Sequence, residues 1–393
     1  MNGMILKAAV LSISLLLMSS PAVSPALADI SAALPSADSS QIMLIASLPS
    51  IVMVVFSLIY GKLVDIMSKR AILGISAACF FIGGVGPAFL NDITSILLMR
   101  GIFGISMGFL MPLSTVLITD FFEGSERQSM MGWQSATINF GGIIFPMIAG
   151  ILCAINWHYT FFAYLLGILV FAFVFFFLPE PAKLELTADG NQPVKSKHLS
   201  GKVWLLQLSL FVYMIAFMAF VTNVAMKILV EKLGDAASAG LAFALFTFGG
   251  LVAGLIFGKI TQIITKFTVP VGWMISGIGL ILLATAQSYN IIIVGCFIAG
   301  VGYAIAMPGT FVKLAMLTAP PAIDFGFSVA FGIMGIGQFI SPSIFEFVNK
   351  ISGHGPGSFP MLVGGAIMLG AGLLLLIGSV GGSSKATTEM LSK

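Results

Sequence analysis

Apolar residues run along this chain in twelve blocks, each stopped by charge, proline or glycine. They fall near 5–27, 41–60, 71–90, 93–118, 131–153 and 159–178, and again near 203–228, 238–258, 268–286, 290–311, 324–348 and 359–380. Crossing a bilayer takes about 20 apolar residues in a helix, so each block predicts one membrane-spanning helix, numbered 1 to 12 in that order. Twelve such helices in 393 residues leave room for short loops only, and no soluble domain is expected. The one long polar stretch, 179–202 (PEPAKLELTADGNQPVKSKHLSGK), falls near the midpoint and reads as a solvated linker. The expected architecture is an all-α membrane protein: a six-helix bundle over 1–180, a linker over 181–201, and a second six-helix bundle with a short tail over 202–393.

Composition narrows the class. Hydrophobic residues make up 58% of the chain and charged residues 8%, against roughly 25% charged in a soluble domain. The mean hydropathy is +1.09. So few charges cannot cover a water-facing shell, which excludes soluble, disordered and disulfide-built secreted classes. A net charge of +3 implies no anionic polymer, hence no nucleic acid, as partner. Cys79, Cys153 and Cys296 sit singly in apolar runs and read as small core residues; no metal site and no cofactor is expected.

Lysine and arginine set the orientation. With both termini cytoplasmic, that side holds fourteen cations, among them Lys62, Lys69, Arg70, Lys183, Lys195, Lys197 and Lys393; the other side holds only Lys227, Lys232 and Lys350. The start of the chain imitates a cleavable signal peptide, with Ala26-Leu27-Ala28 before Asp29. Removing it would strip helix 7 of its counterpart in the repeat described next, so helix 1 is expected to stay.

That repeat has half the chain length. Gly61-Lys62 recurs 197 residues later as Gly258-Lys259. Gly104, Met111-Pro112 and Pro146 recur 196 residues later as Gly300, Met307-Pro308 and Pro342. An offset of six helices, an even number, gives both halves one orientation, as in transporters whose halves rock about a site near the midplane.

The loop after helix 2 reads Gly61-Lys-Leu63-Val-Asp65-Ile-Met-Ser68-Lys69-Arg70. It resembles the G-x-L-x-D-x-x-G-R-[KR] loop of the major facilitator superfamily, with Lys69 where Arg is usual and Ser68 where Gly is usual. The resemblance implies a conformational latch made by Gly61, Asp65, Lys69 and Arg70, with Asp120 as the partner of Lys69. A carboxylate and two cations at a helix end can hold one half against the other, though lysine lacks the bidentate fork of arginine. Arg100 opens RGIFGISMG, similar to the family's R-x-x-x-G-x-x-x-G helix-4 segment. A cation inside a span costs at least ~2.5–3.5 kcal/mol, so Arg100 is expected either to face a central cavity or to snorkel to the interface. Gly141, Pro146 and Gly150 match part of the helix-5 signature of the antiporters, G-x-x-x-G-P-x-x-G-G, while Phe145 and Ala149 replace glycines.

Carboxylates that could carry a proton are few. Helix 1 offers only hydroxyls at Ser19 and Ser20, which leaves Asp29 and Glu346, near outer helix ends, as the proton-carrier candidates. Asp324 opens helix 11, where the dipole favours it. Gln134, Asn139, Gln207, Tyr213, Asn223, Tyr303 and Gln338 are costly against lipid and are expected inside, in contact with substrate or bridging helices. The phenylalanines of helix 6 (Phe171, Phe173, Phe175, Phe176, Phe177) are expected to face lipid.

A membrane-embedded enzyme would need a nucleophile or metal constellation. His158, His198 and His354 all fall in loops without such spacing. No phosphate-binding loop is present, so a gradient must supply the energy. The expected function is secondary transport in the cell membrane, with no enzymatic activity: proton-coupled antiport that exports an apolar or amphiphilic solute. The alternative is uptake or exchange of a small, possibly anionic, metabolite through Arg100. The expected partners are the solute, protons and the lipid bilayer, and the chain is expected to be a monomer.

Overall fold

A computed structural model describes residues 3–35, 37, 39–179, 198–234, 236–353 and 357–391. Most of the expected linker lies outside these residues, as do Lys183, Lys195, Lys197, Lys393 and His354.

The first span, α1, is not one continuous helix. It is α-helical over Gly3–Leu15, tightens into 3-10 turns at Leu16–Met18 and Ser20–Ala26, and resumes over Leu27–Ala33. Pro21 and Pro25 supply the reason, since neither can donate to the turn before it. The first half continues with α2 (Ser39–Ile66), α3 (Lys69–Val85), α4 (Ile93–Phe121) and α5 (Gly124–Cys153). It ends with α6, a 3-10 entry over Trp157–Leu165 that leads into Leu166–Phe177. The second half is α7 (Gly201–Val230), α8 (Ala236–Ile264), α9 (Thr268–Thr285), α10 (Tyr289–Leu317), α11 (Ile323–Ser352) and α12 (Ser358–Leu391). No strand occurs among the described residues. Ten stretches are long and apolar enough to cross a membrane, one of them the joined run Ser238–Thr285 of α8 and α9, and the apolar start Gly3–Met18 of α1 is shorter. Together these make twelve spans.

Three helix starts carry side-chain caps. Ser68 accepts from Ala71 N ahead of α3, Asp92 from Ser95 N ahead of α4, and Asn156 from His158 N ahead of α6. The Ser95 amide and hydroxyl hold the Asp92 carboxyl below the usual carboxylate range. Prolines stand inside α2, α4, α5, α10 and α11 (Pro49, Pro112, Pro146, Pro308, Pro342); in α2 the carbonyl that Pro49 frees, that of Ile45, accepts from Arg100 of α4.

The chain divides into two compact units. One holds Met1–Glu123, Thr137–Gln207 and Leu314–Ile336; the other holds Gly124–Ala136, Leu208–Lys313 and Gly337–Lys393. The repeat glycines mark equivalent close crossings. In the first unit a Cβ on Gly104 would lie 2.7 Å from the Pro49 carbonyl, so α4 meets α2 backbone to backbone. In the second, a Cβ on Gly300 would collide with the Phe246 carbonyl, which brings α10 onto α8. Gly61 of α2 abuts Ser328 of α11 within the first unit, and Gly258 of α8 abuts Ser129 of α5 within the second. Small residues permit such crossings in a membrane, where packing rather than hydrophobicity holds helices together.

Candidate functional site

The loop carried by α2 lies in the first unit. A Cβ on Gly61 would sit 2.8 Å from both Cβ and Oγ of Ser328. Without it the Gly61 amide donates to Ser328 Oγ at 3.2 Å, and that hydroxyl donates onward to the Ser57 carbonyl. The Lys69 ammonium lies 2.8 Å from Asp120 Oδ2 and 3.1 Å from Asp324 Oδ1. The buried Tyr60 hydroxyl donates to the same Asp324 oxygen at 2.9 Å. One cation and one phenol thus bind α2, α3, α4 and α11 together through two carboxylates. Gln207 adds a bond from Nε2 to the Gly326 carbonyl at 2.9 Å. Asp65 is exposed at the end of α2. Arg70 turns elsewhere: its Nη2 donates to the Phe175 carbonyl at 2.8 Å and its guanidinium covers the Phe175 ring. Tyr60, Asp324 and Ser328 are the members that sequence reasoning missed or read as a helix-start charge.

Arg100 is fully buried in the first unit. Nε donates to the Ile45 carbonyl at 2.8 Å, Nη1 to the Tyr164 hydroxyl at 3.0 Å, and Nη2 to the Ser20 carbonyl at 3.2 Å. The guanidinium also stacks over Phe103 at 4.6 Å. These bonds join α1 at its 3-10 stretch, α2, α4 and α6 at one point. Phe80, Phe103, Tyr164 and Phe171 form an aromatic cluster beside it, three of its ring pairs edge-to-face and one tilted. Phe171 is therefore inside, a correction to its expected lipid-facing place, whereas Phe175, Phe176 and Phe177 are exposed. Phe145 is buried beside the Tyr164 ring, while Gly141 lets α5 touch the Leu15 backbone. Pro146 and Gly150 of α5 are half-buried, and Asn139 is buried. A groove of about 500 Å³ between α2 and α4 is lined by Leu48, Val52, Leu97, Leu98, Ile102 and Ile105.

In the second unit Lys227, counted from sequence with the cations of the outer side, is buried. Its ammonium donates to Glu231 Oε2 at 2.8 Å, to Ser358 Oγ at 2.7 Å and to the Ala284 carbonyl at 3.1 Å. Ser358 donates to the other Glu231 oxygen at 2.6 Å, and Asn223 Oδ1 accepts from the Gly357 amide at 3.0 Å. The ends of α7, α9 and α12 are tied together here. Partial burial pushes the Glu231 carboxyl up, but the bonds from Lys227 and Ser358 and the Lys227 charge outweigh it and hold the group below its ordinary value.

Midway along the helices of the same unit stand aromatic rings. Tyr303 lies 4.6 Å from the Phe217 ring and 5.9 Å from Phe246, and Tyr213, buried, shares a 2.8 Å hydrogen bond with Ser276. Gln338 reaches Met214 Sδ at 3.6 Å. Gln134 is buried near the start of this unit. The carboxylates expected to carry protons are Asp29 of the first unit and Glu346 of the second. Asp29, exposed, accepts from Cys153 Sγ at 3.2 Å, and Glu346 is exposed on α11.

A sequence model described as Major Facilitator Superfamily matches residues 8–222 and, a second time, 208–389. The chain belongs to that superfamily. Among characterised relatives, it is 30% identical over 118 residues to the multidrug transporter protein MdtP of Bacillus subtilis, covering 30% of this chain and 22% of that one. It is 27% identical over 271 residues to the quinolone resistance protein NorA of Staphylococcus aureus, covering 63% of this chain and 65% of that one. The matched stretch is thus below two thirds of either relative's length. Solved transporters share the fold at low identity. The human organic anion transporter MFSD10 superposes with a TM-score of 0.78 at 16% identity over 95% of this chain and 100% of that one. The Escherichia coli fucose:proton symporter FucP gives 0.72 at 14% over 94% and 98%. The apolar helices of the described residues fit a multi-pass membrane protein of that superfamily.

Proposed function

We propose that this transporter exports an apolar or amphiphilic solute by alternating access, as a monomer, in exchange for protons. Both termini and the 181–201 linker then face the cytoplasm. The observation that carries the reading is the character of the polar groups at mid-helix: in the second unit they are uncharged and aromatic-flanked. Among the described residues the buried cations, Arg100 and Lys227, are engaged by protein acceptors. The names of the MdtP and NorA relatives point the same way. Uptake or exchange of an anionic metabolite rests on a cation open to solute, and the bonds of Arg100 favour a helix tie instead. Asp29 and Glu346 are the proposed proton carriers. The export reading is tested by imposing a proton gradient on purified protein in liposomes.

In this cycle the Lys69 cluster acts as the cytoplasmic latch, biasing which face is open without touching the solute. Lys69, Asp120 and Asp324 are partly buried, with side chains 14%, 21% and 24% exposed, so each ion pair contributes about 1 kcal/mol, the upper end for exposed pairs. Asp324→Asn removes one carboxylate charge from Lys69 and is expected to slow turnover roughly fivefold, since about 1 kcal/mol is a factor of about five. Substrate affinity should change less than twofold. Asp65→Asn should act in the same direction. Steady-state transport by the Asp324→Asn protein, with turnover and half-saturation measured separately, checks this; a change in affinity alone would dismiss the latch.

A further inference from the structure

Two polar groups in the second unit lack adequate partners. The Tyr303 hydroxyl meets no hydrogen-bond partner among the described residues, and the Gln338 carboxamide meets only the thioether of Met214. Both side chains are half-buried and both stand at the middle of their helices, α10 and α11, at the depth where a bilayer offers no water. A hydroxyl and an amide left unbonded there are costly. Their neighbours are rings and sulfur: Phe217 and Phe246 around Tyr303, Met214 beside Gln338, where Gly337 lets α11 close on α7.

Along α7, α10 and α11 the nearest charges are remote from them. Lys313 lies ten residues along α10 from Tyr303, Lys227 ten residues along α7 from Phe217, and Glu346 eight residues along α11 from Gln338. At 1.5 Å per residue these are roughly 12–15 Å away. Lys227 is already neutralised by Glu231, and Glu346 is exposed. A charged solute of either sign would lose its hydration and meet no counterion on these stretches of α7, α10 and α11.

We propose that Tyr303 and Gln338, framed by Phe217 and Phe246, form the recognition site for an uncharged aromatic solute bearing a hydroxyl or amide group. The ring stacks on the phenylalanines, and the polar group of the solute pairs with the tyrosine hydroxyl and the glutamine amide. The proposal deepens the export reading and rests on it only in taking the site to be that of the transported solute.

The test uses three compounds that share one ring system and differ in charge: naphthol, naphthoate and naphthylmethylammonium. Their binding to the full-length protein in nanodiscs is measured by equilibrium titration, with empty nanodiscs subtracted. Naphthol is expected to bind at least about tenfold more tightly than either ion. Tyr303→Phe, which keeps the ring, and Gln338→Leu should each weaken naphthol about fivefold, as loss of one hydrogen bond of about 1 kcal/mol predicts. Tyr303→Phe and Gln338→Leu proteins that elute as wild type in size exclusion give the readout, and Gln338→Asn serves if Gln338→Leu does not fold. Equal or tighter binding of an ion, or unchanged naphthol affinity in the substituted proteins, would overturn the site. Transport is scored separately. Naphthol selectivity in a protein that moves solute inward keeps the site and removes export. Export by a protein that binds the ions best removes the site and keeps export.

Discussion

Replacing Arg100 by methionine is expected to destabilise the folded transporter by roughly 3–5 kcal/mol, because hydrogen bonds to a charged group contribute about 1.5–3 kcal/mol each and their buried acceptors lose partners. Ile45 O, Tyr164 Oη and Ser20 O would lose the one group that joins α1, α2, α4 and α6. Transport should vanish along with the sharp unfolding transition. Arg100→Lys separates charge from geometry. A single ammonium cannot span acceptors spread around a planar fork, so this protein should also melt early and transport poorly. A role in gripping a solute anion makes the opposite prediction, namely a wild-type melting curve with impaired transport. Melting of the purified variants in detergent, followed by tryptophan fluorescence, distinguishes the two.

The second large effect is expected at Glu231. Glu231→Gln leaves the Lys227 ammonium buried without its counter-charge, with only neutral acceptors: Ser358, the Ala284 carbonyl and the new amide oxygen. Breaking a fully buried pair costs about 3–5 kcal/mol. Glu231 is 39% exposed, so solvent screening reduces the expected loss to about 2–3 kcal/mol. Lys227→Met should cost less, since the carboxylate it abandons can hydrate, and Lys227→Met with Glu231→Gln should resemble Lys227→Met alone. The pair also fixes a pH dependence. The Glu231 carboxyl is held below its ordinary value, so its contribution is complete above about pH 4.3, the unfolded carboxylate pKa. It is lost as the pH falls further, through the lower folded value. A steeper acid destabilisation in wild type than in the double variant is the expected result. Equal acid sensitivity would show that the pair does not tie the helix ends.

These two residues also show what can be read from sequence in such a chain. Gly61, Gly104, Gly258 and Gly300 were legible as a repeat because close crossings forbid a Cβ, and the same constraint acts in each half at the same place. The membrane class and helix count were legible because apolar runs are long and loops short. Arg100 was visible as an anomaly, but its role depends on two backbone carbonyls and on a tyrosine 64 positions away, which carry no sequence signal. Lys227 lay at the edge of an apolar run with Glu231 four residues on, the spacing of an ordinary surface pair. Only the packing of α9 and α12 against it makes it interior. The α1 break had a signal in Pro21 and Pro25, whose effect on a span is clear once the missing donors are counted. In the latch, Lys69 and Asp120 sit at helix ends where charge is expected. Tyr60 and Asp324 are 264 residues apart, and their meeting follows from how α2 packs on α11.

The central claim is proton-driven export of an uncharged aromatic compound, and one measurement addresses it directly. Purified transporter is reconstituted in liposomes, and a radiolabelled neutral aromatic bearing hydroxyl and amide groups, such as chloramphenicol, is followed under an imposed pH gradient. Accumulation inside acid-loaded vesicles, abolished when nigericin collapses the gradient, is the result this account predicts. Accumulation driven by the opposite gradient, or equal uptake with no gradient at all, would contradict it.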